Sequence, residues 1–545
     1  MKTRAEVTSQ KLRGGFYSPD PLVHRCLERV AQLVGGRTSL RVLEPSAGDG
    51  AFVRGIARCE ALAPAVAAVV AIEPDVDEAA KCLRALDDGH LAGHVVTDSA
   101  IAWAATTHET FDCAVGNPPY LRFQFLGEDD KRRLPELERR AGVSFSGVTN
   151  LWIPLLIGAL GRLDVGGAFA FIVPTECFTG VSAGVLRTWL VRNTEHLRFD
   201  LFPSGSFPGA LQEVTILSGT RRDPVDTCAR CELHEHPATG RSTATTHLIP
   251  PSPRPWTRYL LTPAQVDAFE EASQLTAVVP LGQVAKFEVA AVTGANGFFT
   301  VDASTVRAFD LWRWTTPLVP RIRHARGLRY TTADSACTEA AGARAFLLDF
   351  ALDRPDPTCN ADALRYLESG ARDGLPQRYK CRIREPWYRV PSIRAGRLMM
   401  SKRSHRGPRV VRNDAGVVTT DTIYRGAMVG AFDGRDCDLV AAFHGSLTML
   451  SAEIEGRSFG GGVLELVPSE VARLVVAMPQ GFGVELDRLD AVARTAASDP
   501  CGIDVLVDET DRLLVEADFG MTSELAGTLR EARAALLQRR LDRNT

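Results

Sequence analysis

"VLEPSAGDGAF", residues Val42 to Phe52, joins an apolar run to a glycine-rich turn and then to the start of a helical pattern. Glycine lets the chain bend closely over a ligand because no Cβ blocks the approach, so the stretch reads as a buried strand handing over to a helix. It has neither the Gly-Lys-Ser/Thr of a phosphate cradle nor a G-x-G-x-x-G dinucleotide fingerprint. Glu44, directly after the strand, would also repel a pyrophosphate. Similar apolar runs follow at Val66 to Ile72, His94 to Thr97, Phe111 to Val115 and Gly167 to Val173. Helical patterns, such as Pro21 to Val34 and Leu151 to Leu163, fall around them. Strands alternating with helices predict a doubly wound, parallel α/β sheet over the first ~225 residues.

In such a sheet the ligand crevice opens at the carboxyl ends of the strands. Glu44 there suits a cofactor with a positive amino-acid end, held against a bend made by Ser46, Ala47, Gly48 and Gly50. Glu73, at the tip of the second strand, is placed to accept from both ribose hydroxyls. Asp98, after the third strand, is placed to accept from an adenine amino group. The plainer alternative is that Glu73 and Asp98 cap the helices that follow. Three acids on successive strands, with a glycine turn, describe a nucleoside with a cationic tail. S-adenosylmethionine fits that description better than NAD.

The fourth strand ends in "GNPPY", Gly116 to Tyr120. Two consecutive prolines, Pro118 and Pro119, remove two backbone donors and stop the ladder. The Asn117 side-chain oxygen and the Pro118 carbonyl are acceptors able to converge on one NH2 group. An exocyclic amine is a poor nucleophile, and accepting from both of its N–H groups stabilises the charge that develops as it attacks. Tyr120 is expected to be exposed, offering a flat face on which a planar substrate stacks. No covalent nucleophile is needed, so Cys113 reads as core.

In this order "EPSAGDGAF", "IEPD" and "GNPPY" resemble the gamma class of amino-group DNA methyltransferases, which make N6-methyladenine. The resemblance implies that Phe16, Tyr17 and Ser18 fold over the methionine end of the cofactor, with Ser18 standing where Thr is usual. Asn150 to Trp152 and Gly166 to Pro174 match later core motifs, and Phe207 matches the aromatic that packs on the flipped adenine. "TDSAIA" lacks the Gly-Asp-Phe pattern, so Asp98 is the weakest match. About seventy residues separate Gly48 from Asn117, too few for a recognition domain, which must follow the catalytic one. "VTGANGFFTV" (Val292 to Val301) and "SAEIEGRSFGGGVLELVPSE" (Ser451 to Glu470) resemble target-recognition segments of the same enzymes. The expected organisation is a class I S-adenosylmethionine-dependent methyltransferase domain at 1–225. A linker with the first strands of the second domain follows at 226–255, then a mixed α+β target-recognition domain at 256–545. The implied activity is methyl transfer to N6 of an adenine flipped out of duplex DNA. The rival readings are an N-methyltransferase of RNA bases or a protein glutamine, and a non-catalytic DNA-binding subunit, which should have lost Gly48, Glu73 or Asn117. Little room precedes Tyr17 for a fused nuclease, so any restriction endonuclease is expected as a separate chain, and the protein as a monomer.

At 545 residues, with 45% hydrophobic and 24% charged content, the chain suits a soluble protein of two or three domains. A net charge of −3 means that a nucleic-acid surface must be a local patch. Arg321 and Arg323 belong to one basic run. Arg378, Lys380, Lys402, Arg403 and Arg406 belong to a longer one, from Arg378 to Arg412, interleaved with Tyr379, Trp387 and Tyr388 and holding one acid, Glu385. These residues are candidate DNA contacts, as is Arg457 beside a Gly-rich loop. Cys228, Cys231, His234 and His236 have the residue types of a zinc site, but their alternation reads better as a strand with Cys231 on the opposite face. No metal is expected. The twelve cysteines are scattered singly, which suits reduced thiols. The amino terminus shows no signal peptide, and no apolar run approaches the ~20 residues of a membrane span, so a cytoplasmic location is expected.

Overall fold

The structure, a computed structural model, describes residues 18–180, 182–203, 214–237, 239–391, 393–459 and 461–542. The chain divides into two compact units, one up to Pro263 and one from Ala264. In the first unit, β1 (Leu40–Glu44), β2 (Val66–Ile72), β3 (Gly93–Val96), β4 (Phe111–Gly116) and β5 (Leu163–Pro174) are joined by β6 (Thr194–Leu201), β7 (Val214–Arg221), β8 (Ala229–Glu235) and β9 (Thr243–Ile249). They form one sheet in the order β3-β2-β1-β4-β5-β7-β6-β8-β9. The first five of that order pair in parallel. β7 then inserts antiparallel to both β5 and β6, β8 returns parallel to β6, and β9 closes antiparallel.

The continuous apolar runs of the sequence follow from burial of both sheet faces. Val42, Cys113, Ala168 and Ala170 point to one face, where they pack with α1 (Asp20–Val34) and α2 (Ala51–Arg58). Leu43, Ala114, Phe169 and Phe171 point to the other, against residues of α4 (Ala100–Thr106), α5 (Glu128–Ala141), α6 (Trp152–Leu160) and α7 (Gly184–Asn193). Between α2 and α4 runs α3 (Val76–Asp88), whose first turn is capped by the Asp75 carboxylate accepting from the Asp77 and Glu78 N–H groups. The strand order reverses between β1 and β4. The carboxyl ends of these two strands therefore flank the crevice where such sheets bind ligands.

The boundary expected at residue 225 falls instead at Pro263. The stretch expected as linker and first strands of the second domain contributes β8 and β9 to the first sheet. Its prolines lie in the connections outside the two strands, and its polar residues come largely from β9, the half-exposed edge strand. Cys231 is buried in β8, as the strand reading requires.

In the second unit, β10 (Ala285–Glu288), β11 (Arg329–Tyr330), β12 (Leu398–Ser401), β13 (Val410–Asn413) and β14 (Ile423–Met428) form a sheet in the order β10-β14-β12-β13-β11. Two smaller three-stranded sheets accompany it. Its later part is helical: α8 (Asp436–Ala442), α9 (Ser446–Glu455), α10 (Leu486–Ala496), α11 (Gly502–Glu516) and α12 (Ser523–Asp542). This is the mixed α+β unit the sequence predicts. In α12 the buried face holds the expected Leu525, Leu529, Ala532 and Leu536. It also holds Arg533 and Arg540, whose guanidinium groups pair with Asp504 and Glu453. Among the described residues no helix is long and apolar enough to cross a membrane.

His444, between α8 and α9, is fully buried. Burial, reinforced by the nearby Arg409 charge, pushes its pKa down to about 3. As pH falls below 6.5 the unfolded chain takes up a proton that the folded unit refuses. Stability is therefore lost from pH 6.5 down toward 3, at up to about 1.4 kcal/mol per pH unit from this residue. Urea unfolding at pH 7.5 and pH 5 is expected to show a smaller loss in His444→Leu than in the wild type.

Candidate active site

The two decisive motifs meet at the strand reversal. Leu43 of β1 pairs with Ala114 of β4, so the strands end side by side. A Cβ placed on Gly116 would lie 3.4 Å from both Ser46 Oγ and Pro45 Cδ. The glycine therefore allows the Asn-Pro-Pro-Tyr turn to lie directly against the Gly-rich turn.

That turn is held by backbone bonds across the sheet. The Ala47 N–H donates to the Ile72 carbonyl at 3.0 Å, and the Gly50 N–H to the Ala47 carbonyl at 2.9 Å. The Glu73 carboxylate accepts from the Gly48 N–H and the Asp75 N–H, both at 2.9 Å. Each oxygen keeps a further lone pair. Burial raises the Glu73 pKa and these two donors oppose the rise. Asp75, and not Glu73, caps α3, so the helix-cap alternative for Glu73 does not hold. Asp98 is exposed, and its carboxylate accepts from the Ser99 N–H at 2.7 Å, while the Ser99 side chain caps α4.

Glu44 is completely buried, and neither carboxylate oxygen has a hydrogen-bond partner among the described residues; nor does Ser46 Oγ. Burial, then Glu73 and Asp49, hold the Glu44 carboxyl well above the usual carboxylate range. An orphaned acid at a strand tip, a second acid with free lone pairs, and a turn that opens to space at Gly48 fit a nucleoside with a cationic amino-acid tail. The residues present therefore fit S-adenosylmethionine. Ser46 to Gly50 would carry the turn over it, Glu73 would take the ribose, and Glu44 would set the charge.

Two glycines in this turn carry different loads. Gly50 has φ +85°, and a Cβ there would meet Ala85 Cβ at 2.9 Å and Cys82 Cα at 3.0 Å. Gly50→Ala is expected to destabilise the first unit by about 2–4 kcal/mol through left-handed strain and overpacking together. Gly48 has φ +52° and nothing within 4 Å of such a Cβ. Gly48→Ala should cost only the strain, about 1–2 kcal/mol, yet weaken cofactor binding because its methyl group fills the open cradle. Thermal unfolding beside calorimetric titration with S-adenosylmethionine separates the two.

Asn117 sits in a network that the sequence did not announce. Its Nδ2 donates to Ser18 Oγ at 3.1 Å, and its Oδ1 accepts from the Tyr120 hydroxyl at 2.9 Å. The same hydroxyl approaches the Ile172 carbonyl at 3.2 Å. Tyr120 is thus half-buried rather than the exposed ring expected. It packs against the core, and burial raises its phenol pKa strongly. Its hydroxyl found two acceptors, one on the neighbouring strand, a pairing that no local pattern encodes. Pro118 is buried, and among the described residues no donor is bonded to its carbonyl. Cys113 is a core thiol whose pKa burial pushes up to about 12. Phe16, Tyr17 and Phe207 lie outside the described residues.

Sequence reasoning also missed Arg187. Buried in α7, it donates to the carbonyls of Cys177, Thr179, Gly180 and Pro253, and so fixes the loop after β5. Its partners are distant in sequence or are backbone groups, and leave no motif.

The candidate DNA contacts separate into two kinds. Lys402 and Arg403 pair with Glu465, Arg406 with Asp504, and Arg457 with the buried Glu470. The run from Arg378 to Arg412 looked one-sided because the acids that pair with Lys402, Arg403 and Arg406 lie about sixty to a hundred residues away in sequence. Arg321, Arg323, Arg378 and Lys380 are exposed, and among the described residues none of them makes an ion pair. His234 pairs with Glu232, and His236 with Asp200 at 2.6 Å. Among the described residues no His/Cys/Asp/Glu group has the arrangement of a metal site.

The sheet order is that of a class I S-adenosylmethionine-dependent methyltransferase, and the strand-tip site fits S-adenosylmethionine as the cofactor. Residues 83–206 match the family "Eco57I restriction-modification methylase", and residues 253–515 match "Type II methyltransferase M.Eco57I, C-terminal domain". Over these two stretches the chain is similar to type II restriction-modification methyltransferases. It is 21% identical over 477 residues to the type II methyltransferase M.AccI of Acinetobacter calcoaceticus, covering 84% of each chain. It is 23% identical over 491 residues to M.XamI of Xanthomonas campestris pv. amaranthicola, covering 85% of this chain and 84% of that one. Among solved structures, DrdV in a cryo-EM DrdV–DNA complex shares the fold with a TM-score of 0.50 at 11% identity. That match covers 90% of this chain and 58% of DrdV, so this chain spans little more than half of that one.

Proposed function

We propose that the protein methylates DNA, transferring a methyl group from S-adenosylmethionine to N6 of an adenine taken out of the duplex. The observation that supports this reading is the close approach of Gly116 to the Gly-rich turn, with Asn117 and Pro118 following directly after it in the chain. S-adenosylmethionine supplies the electrophilic methyl group when bound. The Pro118 carbonyl accepts one N–H of the amine, and Asn117 Oδ1 accepts the other once the Tyr120 hydroxyl turns to the Ile172 carbonyl. Both acceptors stabilise the positive charge that grows on nitrogen during in-line attack. Ser18 holds the Asn117 amide so that its oxygen faces the Tyr120 side. Tyr120 forms a wall of the base pocket, and Phe207 is assigned to the other face of the base. Arg321, Arg323, Arg378 and Lys380 are assigned to phosphates, the sequence-independent part of duplex binding. The relatives named as type II methyltransferases support DNA over RNA or protein as the substrate.

Methyl-labelled S-adenosylmethionine, offered together with unmethylated plasmid DNA, total RNA and a protein extract, tests the substrate class. Label is expected in DNA. Label confined to RNA or protein overturns the reading.

A further inference from the structure

In the second unit, Arg378, Tyr379, Lys380, Arg382 and Ile383 stand together on a short helical turn, Tyr379–Arg382, and the residues flanking it. Tyr379 is 65% exposed and Ile383 60%, four residues apart, although one turn between them Cys381 is fully buried. The platform beneath is rigid. A Cβ on Gly294, at φ +79°, would lie 2.7 Å from Lys380 Cβ, so the 292–294 loop runs flush under the turn. Arg384 clamps that loop, donating to the Val292 carbonyl at 2.6 Å and the Thr293 carbonyl at 2.8 Å. The apolar side chains are thus presented by a fixed element.

Their surroundings select the partner. Arg378, Lys380 and Arg382 are exposed, and among the described residues none makes an ion pair; the Lys380 ammonium lies 5.5 Å from the Tyr379 ring centre. The two most exposed apolar side chains, Leu352 and Val484, have the opposite company: Leu352 lies among Asp349, Asp353 and Asp356 in the sequence, and Val484 beside Glu485. A flat aromatic and a branched aliphatic side chain on a rigid turn, flanked by unpaired cations, match the way proteins insert apolar wedges at base steps while gripping phosphates.

We propose that Tyr379 and Ile383 form a wedge that stacks on the bases of duplex DNA, anchored to the phosphates on either side by Arg378, Lys380 and Arg382. The proposal rests on the reading of the protein as a DNA methyltransferase. It adds the element that contacts the base stack, which neither the basic run nor the paired arginines identify.

Binding to fragments of unmethylated plasmid DNA, measured across a salt series, tests it. R378A/K380A/R382A is expected to lower the slope of log affinity against log salt by about 2–3, one phosphate contact per cation. Y379A/I383A is expected to weaken binding about tenfold with the salt slope unchanged, the signature of lost stacking rather than lost charge. Unchanged circular dichroism and thermal unfolding show that both variants are folded. If the wild type binds the fragments and both variants bind equally well, the wedge is wrong and the DNA reading stands. If the wild type binds no duplex, the DNA reading itself falls. A change in sedimentation between wild type and Y379A/I383A overturns the proposal in favour of a contact between copies of this chain.

Discussion

Asn117→Ala is expected to lower methyl transfer by about 10²–10³-fold while leaving S-adenosylmethionine affinity within about threefold. The substitution removes one of two acceptors for the amine and leaves the Gly-rich turn untouched. The loss should appear in kcat, because the acceptor acts most strongly on charge that exists only during transfer. The Tyr120 hydroxyl keeps the Ile172 carbonyl as an acceptor, so the fold around it should persist. Single-turnover kinetics beside a cofactor titration check this; full activity in the variant would remove Asn117 from the chemistry.

Glu73→Ala should produce the complementary failure. Its carboxylate holds the Gly48 and Asp75 N–H groups and is assigned to the ribose. Losing charge-assisted bonds at both hydroxyls is expected to weaken cofactor binding by about 10²-fold or more. Saturating cofactor should then restore much of the rate. A variant that binds S-adenosylmethionine like the wild type would show that Glu73 serves only the turn. Together the two substitutions separate the cofactor half of the site from the amine half.

The first five strands and their glycine turn were legible because parallel strands buried on both faces read as unbroken apolar runs, at Val66 to Ile72 for example. The strand-tip acids were legible for the same reason, since topology fixes where a strand's last residue goes. What escaped was long-range pairing. β8 and β9 lie at the polar end of the sheet, with β9 as its edge, so their sequence resembled a linker and the domain boundary was set too early. The Tyr120 hydroxyl bonds back to Asn117 and to a carbonyl of β5, which turned an expected exposed ring into a half-buried one. Lys402, Arg403 and Arg406 read as a free basic run, although Glu465 and Asp504 neutralise them from far along the chain. Charge density along a sequence measures neighbours in the chain, whereas ion pairing depends on neighbours in space.

The central claim, transfer to the adenine amino group at Asn117, is tested most directly by identifying the modified nucleoside. Unmethylated DNA would be treated with the wild type or with Asn117→Ala, digested to nucleosides and resolved by mass spectrometry. The account predicts N6-methyladenine from the wild type and almost none from the variant. A methylated cytosine as the product, or the same N6-methyladenine yield from both proteins, would contradict it.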